Sequence, residues 1–148
     1  MKIALDSNIF IYALENKKEL GDLSRKLLAE LKEQNHQLVT SVLTIQEVLV
    51  GVYKERLVNR INEYLEFISG EGRIAVIDFN REVAVISARI RADYPQIKTP
   101  DAIQLATAII KTPDAIQLAT AINQGASRFY TADKKLPKKI GRLTIKSI

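Results

Sequence analysis

Hydrophobic positions along this chain follow two patterns, short unbroken apolar runs and longer stretches in which they recur every three or four residues, and the two alternate. Residues 2–6 (KIALD) form an apolar run that stops at an acid, and helical spacing starts at once with Ser7, Asn8, Ile9, Phe10, Tyr12 and Ala13. This predicts a buried strand feeding a helix. Residues 20–35 place Leu23, Leu27, Leu28 and Leu31 on one helical stripe, with Asp22 or Ser24 able to start it. A second strand is predicted over 37–41 (QLVTS). A helix through Ile45, Val48, Leu49 and Val52 follows, then another over 58–68 that Gly70 and Gly72 end. Residues 73–79 (RIAVIDF) predict a third strand, 82–94 a helix, 127–133 (SRFYTAD) a fourth strand and 143–148 a fifth.

Apolar strands separated by amphipathic helices imply an α/β fold. The expected architecture is a three-layer α/β/α sandwich around a central parallel sheet of four to five strands joined by right-handed crossovers. In such sheets ligands collect at the carboxyl ends of the strands.

One stretch departs from this order. Residues 97–109 read IKTPDAIQLATAI, and residues 110–122 repeat the same thirteen letters. Each copy has the form of a helix start, with Thr99 or Thr112 as N-cap, Pro100 or Pro113 at the first helical position and Asp101 or Asp114 in the first turn. The amide groups there favour an acid. On one unbroken helix, thirteen residues at about 100° each would leave the two aspartates roughly 140° apart, so they could not share a site. Pro113 also argues against continuity, because it lacks an N–H and its ring presses on the carbonyl of Ile109. Two short helices with a break near residues 110–112 are expected. A repeat this short and this exact reads as an inserted tandem duplication rather than a solenoid.

Composition narrows the chemistry. With 148 residues, 47% hydrophobic and 26% charged, and no low-complexity tract, residues 1–148 read as a single domain. No apolar run reaches membrane-spanning length and the acid at Asp6 argues against a signal peptide, so a cytoplasmic protein is expected. Zero cysteines exclude disulfides and thiol catalysis, and the single His36 cannot build a zinc site or a Ser-His-Asp triad. Carboxylates must carry whatever chemistry exists. The net charge of +5 is concentrated at the C-terminus: Lys134, Lys135, Lys138, Lys139, Arg142 and Lys146 face no acid after Asp133, leaving residues 1–133 with 16 basic and 17 acidic residues. Such a segment is either a solvated tail or a phosphate-facing patch.

Four acids fall where the predicted sheet would gather them. Asp6 ends the first strand, Asp133 the fourth, Glu47 lies inside the helix leaving the second, and Asp101 or Asp114 starts a helix. Singly each has an ordinary reading, Asp6 as an N-cap, Glu47 as a solvated helix residue, Asp133 as the opening of a turn. Jointly, carboxylates converging in one cleft repel one another unless a cation neutralises them. A hard divalent ion, Mg²⁺ or Mn²⁺, takes oxygen ligands and sits where phosphates bind. The chemistry it supports is phosphodiester hydrolysis by in-line attack of water. Asp114 is favoured over Asp101 as the third acid, because it keeps a compact connection to Asp133 and moves the added length to the segment after Pro95.

The combination of L-D-S-N at Asp6, T-x-x-E at Glu47, K-T-P-D-A-I-Q-L-A-T-A at either copy and Y-T-A-D-K-K-L at Asp133 resembles the PIN domain family, and more narrowly the VapC toxins of bacterial and archaeal toxin–antitoxin pairs. The likeness covers nearly the whole chain. It implies an α/β/α nuclease fold, Mg²⁺- or Mn²⁺-dependent endoribonuclease activity on RNA, a homodimer, and a cognate antitoxin that reaches into the site. It also implies Asp6, Glu47, Asp114 (or Asp101) and Asp133 as catalytic metal ligands, with Ser7, Asn8 and Thr131 as supporting polar residues. Lys134, Lys135, Lys138 and Lys139 would hold the RNA backbone. A spare helix from the duplication could bury its apolar face by exchange between subunits. The alternative is a PIN-type binding module, inactive because the duplication displaces the third acid.

Overall fold

The computed structural model describes residues 1–15, 18–110 and 126–148. Its centre is a six-stranded sheet in the order β3-β2-β1-β4-β6-β5. The strands are β1 (Lys2–Leu5), β2 (Gln37–Ser41), β3 (Ile74–Ile77), β4 (Arg128–Thr131), β5 (Lys139–Ile140) and β6 (Leu143–Ser147). β1 lies between β2 and β4, parallel to both, and the β2–β3 and β4–β6 pairs are parallel as well. The sheet is mixed only at its edge, where β5 runs antiparallel to β6. The five parallel strands match the expected central sheet, and the antiparallel β5 adds a sixth at its edge. It is only two residues long, inside a lysine-rich segment whose composition predicts no strand.

Among the described residues, six helices cover the sheet: α1 (Ser7–Glu15), α2 (Lys18–Glu33), α3 (Val42–Lys54), α4 (Ile61–Ser69), α5 (Arg81–Asp93) and α6 (Thr99–Ile109). Central strands are buried on both faces, so successive residues feed different cores. On β1, Ile3 and Leu5 pack with Ile9, Phe10, Leu28 and Ile68 on the side of α1, α2 and α4. Ala4 faces the opposite way, with Val83, Ile90, Leu105 and Phe129 on the side of α5 and α6. These two cores give the three layers expected. Phe10 closes the first core edge-to-face on Phe67, ring centroids 6.4 Å apart.

Local signals set most element ends. Ser41 caps α3 by accepting from the Leu43 amide at 3.2 Å, and Asn80 caps α5 by accepting from Val83 at 3.0 Å. Gly70 ends α4 in the left-handed conformation (φ +55°). A Cβ there would stand 2.9 Å from Ile74 Cγ1, so glycine is required twice over. Three boundaries differ from expectation. α2 begins at Lys18, ahead of Asp22 and Ser24, because α1 and α2 pack together and extend the helix past its best caps. Residues 58–60 form a separate 3₁₀ turn before α4. α6 starts at Thr99 itself, with Lys98 in the extended N-cap position and no side-chain cap, so Pro100 stands one place further in than expected.

α6 ends at Ile109, and Ile110 leaves it extended (ψ 145°). The first copy is therefore a complete short helix, as the sequence predicts. The second copy, apart from Ile110, lies outside the described residues. Among those residues, no helix is long and apolar enough to cross a membrane.

Candidate active site

The parallel strands end together at one edge of the sheet, and Asp6 is the first residue past β1. Its amide donates to the carbonyl of Tyr130 at 2.9 Å, which continues the β1–β4 ladder by one step and holds the residue in register. Both carboxylate oxygens are engaged. Oδ1 accepts from the Ser7 amide at 2.8 Å and the Ser7 hydroxyl at 3.3 Å, while Oδ2 accepts from Asn8 Nδ2 and from Thr131 Oγ1, both at 2.7 Å. Asn8 in turn accepts from the Ala132 amide at 2.8 Å through its Oδ1. The L-D-S-N turn and the T-A-D turn are thus tied side by side across two strands distant in sequence.

Asp133 belongs to the same cluster. Its amide donates to Thr131 Oγ1 at 2.9 Å, and its Oδ1 accepts from the Lys135 amide at 2.8 Å, opening the turn that follows. Its bland role and its site role coexist.

Glu47 lies in the second turn of α3, half-buried, and its Oε2 is shielded from solvent without a hydrogen-bond partner. Asp101 lies in the first turn of α6. Electrostatics connects the four acids. Burial pushes the Asp6 carboxyl up to about 7; the Thr131 hydrogen bond opposes this, and the charges of Asp101 and Glu47 add to it. Asp101 is raised as well, first by burial, then by Asp133 and Glu47, with Lys98 pulling the other way. Asp6, Glu47, Asp101 and Asp133 therefore lie near enough for their charges to act on one another. Asp114, which spacing favours, lies outside the described residues; it is the alternative, Asp101, that stands in this cluster.

Would such a cluster suit a divalent cation? The donor set is entirely carboxylate oxygen, suited to Mg²⁺ or Mn²⁺, and the orphaned Glu47 Oε2 is a buried donor atom in need of a partner. Among the described residues, no three acids stand close enough to grip an ion as they are placed. The residues fit the ion in chemistry and neighbourhood, and binding would have to draw the carboxylates together.

The basic segment is divided. Lys134 and Lys135 follow Asp133 directly and are exposed at the site edge. Lys139 pairs in register with Thr144, at the level of Arg128 where β4 begins, and the Lys138 carbonyl accepts from the Ile145 amide at 2.9 Å. Lys138 and Lys139 therefore lie toward the opposite end of the strands, and the four lysines do not form one patch.

A second buried polar chain was not singled out by the sequence. Thr40 Oγ1 donates to the Leu5 carbonyl at 2.9 Å and meets Thr44 Oγ1 at 2.8 Å, and Gln104 Nε2 reaches Thr44 Oγ1 at 3.1 Å. Its signal was available: Gln104 interrupts the apolar run Ile103–Leu105 at a position the helical pattern buries.

The fold is similar to three solved assemblies. These are VapBC2 from Rickettsia felis bound to a DNA fragment from its promoter (21% identity, 99% of this chain and 98% of that chain, TM-score 0.69), a toxin–antitoxin complex from Klebsiella pneumoniae (23%, 99% and 99%, 0.63) and DNA-bound VapBC from Salmonella typhimurium (19%, 99% and 98%, 0.63). At these identities the likeness is one of fold. No curated protein matches the chain. The sequence pattern of the PIN domain family matches residues 3–142, so the chain belongs to the PIN domain family.

Proposed function

We propose that this PIN domain protein is a divalent-metal-dependent endoribonuclease and the toxin of a toxin–antitoxin pair. The observation that carries the reading is the gathering of carboxylates at the carboxyl edge of the sheet: Asp6 is raised first by burial and then by the charges of Asp101 and Glu47, and Asp101 first by burial and then by Asp133 and Glu47. Among the described residues, the one cation that acts on either is Lys98, beside Asp101. A cluster with this much unbalanced negative charge is suited to a Mg²⁺ or Mn²⁺ ion.

Asp6, Glu47, Asp101 and Asp133 would hold the ion. When bound, it would polarise the phosphodiester and make the attacking water a better nucleophile. Ser7, Asn8 and Thr131 keep Asp6 oriented through the hydrogen bonds above, Glu47 would orient the water or take its proton, and Lys134 and Lys135 would steady the RNA backbone. The partner half of the reading is supported by the likeness to VapBC assemblies and by a groove of about 650 Å³ between α1, α3 and α4. Ile11, Leu14, Val48, Leu57 and Tyr64 line it and Glu47 stands at its wall, so an antitoxin segment lying there would come within reach of the acids. A homodimer is the proposed assembly, the exposed Val50, Tyr53 and Val58 offering apolar surface for it. The exchanged helix considered from the sequence lies outside the described residues.

The test is cleavage of single-stranded RNA by the purified chain with Mg²⁺, with Mn²⁺ and with EDTA, using Asp6→Asn as control. Metal-dependent cleavage lost in EDTA and in Asp6→Asn is the expected result. A folded parent chain that cleaves nothing with either metal would replace the nuclease by the inactive binding module.

A further inference from the structure

The acids of this site come from different elements: Asp6 follows β1, Glu47 is on α3 and Asp101 on α6. Nothing in covalent structure fixes α3 relative to α6, yet the buried polar chain runs between them. Gln104 is 2% exposed, Thr40 1% and Thr44 fully buried. Proton bookkeeping gives the chain a single direction. Thr40 has one hydroxyl proton and gives it to the Leu5 carbonyl, so toward Thr44 it can only accept. Thr44 must therefore donate to Thr40, which leaves its lone pairs for Gln104 Nε2.

Three of the polar chain's four members stand near an acid in sequence. Leu5 precedes Asp6, Thr44 is three residues before Glu47 on α3, and Gln104 is three residues after Asp101 on α6, a spacing that keeps both on one helical face. We infer that the hydrogen-bond chain Gln104–Thr44–Thr40–Leu5 sets the separation of the three acid-bearing elements, and that Thr44 and Gln104 are positioning residues for cation binding. The inference rests on the cation-site reading above. Its physical content is that a hydrogen bond tolerates a few tenths of an ångström of drift where apolar packing of α3 on α6 would tolerate more. Among the described residues α6 packs mainly on α5 and β2 and touches α3 little, so few other contacts constrain this pair.

The experiment is Mn²⁺ affinity, read by electron paramagnetic resonance of free Mn²⁺, together with thermal unfolding. The chains compared are the parent, Asp6→Asn, Thr44→Val, Thr44→Ser, Gln104→Leu and Ile68→Val. Ile68→Val destabilises the other core, which α6 does not enter, and serves as control for a general loss of stability. Thr44→Val and Gln104→Leu are expected to bind Mn²⁺ about tenfold more weakly, the scale typical of residues that hold metal ligands in place. Thr44→Ser keeps the hydroxyl and should bind as the parent does, and Ile68→Val should lose melting temperature but not affinity. Gln104→Leu carries the test alone if Thr44→Val does not fold. Parental affinity in both Thr44→Val and Gln104→Leu, or an equal loss in Ile68→Val, would overturn the inference. If the parent and Asp6→Asn bind alike, the cation-site reading itself falls and the positioning role falls with it.

Discussion

The amide of Ala126 donates to the carbonyl of Ala108 at 2.7 Å. The chain leaves α6 and re-enters the fold before β4 at the same point, so the fifteen residues 111–125 are not needed to span any distance. Deleting one copy should therefore preserve the domain, and because the copies are identical, removing 97–109 or 110–122 yields the same protein. Two effects on stability oppose each other. The shorter connection lowers closure entropy by an amount on the order of 1 kcal/mol. Against this, Asn123 then follows Ile109 where Ile110, 2% exposed, now packs in the core, which costs about 2 kcal/mol. The single-copy chain should fold, cleave RNA as the parent does, and melt a few degrees lower. Adding Asn123→Ile should recover the loss. An unfolded single-copy chain would mean that the second copy is structural.

Which copy works is decided by two parallel substitutions. Asp101→Asn should reduce RNA cleavage by more than about a hundredfold, beyond the 10–100-fold typical of residues that only support metal ligands, and Asp114→Asn should leave it unchanged. The reverse pattern would put the second copy in the site. Partial loss in each, with full loss only in the double variant, would mean that either copy can take the place of α6.

Asp6 makes the site a stability cost that a bound cation would relieve. Its pKa of about 7 in the fold lies above the ordinary 3.8, so the native state holds a proton that the unfolded chain has released. Stability is fully present below pH 4 and is lost as pH rises through 7, a change on the order of 4 kcal/mol. In EDTA the melting temperature should fall over that window, and Mg²⁺ or Mn²⁺ should raise it far more at pH 8 than at pH 5. Asp6→Asn mimics the protonated acid; it should be inactive yet melt higher than the parent at pH 8 without metal. A flat melting profile across pH 4–8 in EDTA would contradict this account.

Thr131 links three partners through one hydroxyl, donating to Asp6 and accepting from Asn8 and from the Asp133 amide. Thr131→Val keeps the shape and removes all three bonds. Cleavage should fall about 10–100-fold, and the Asp6 carboxyl should move further up, since this hydrogen bond is the main influence holding it down. Thr131→Ser should retain most activity. Equal activity in Val and Ser variants would remove Thr131 from the site.

How much of this was legible in the sequence can be judged from particular residues. Asp6 and Asp133 were, because a strand-ending acid in a parallel sheet lies at the ligand edge whatever surrounds it, and Glu47 followed from helix periodicity. The choice between Asp101 and Asp114 was not, since identical sequences have identical propensities; counting back from Asp133 favours Asp114, which lies outside the described residues, while in the fold the charge of Asp101 acts on Asp6. β5 escaped notice because two residues in a Lys-rich segment carry no period. Thr40, Thr44 and Gln104 look ordinary singly, and only their packing makes them a chain.

The division of the lysines gives a last test. Lys134 and Lys135 adjoin Asp133 at the site edge, whereas Lys139 is level with Thr144 toward the other end of β6. If RNA lies across the acids, its phosphates pass the first pair. Lys134→Ala with Lys135→Ala should raise KM and lower the salt dependence of RNA binding by a log–log slope of about 1 to 2, since each phosphate contact released contributes about 0.7 on a single strand. Lys138→Ala with Lys139→Ala removes the same charge from the chain but should change the slope little. Net charge alone would give equal effects for both pairs, so the difference between them measures where the strand runs.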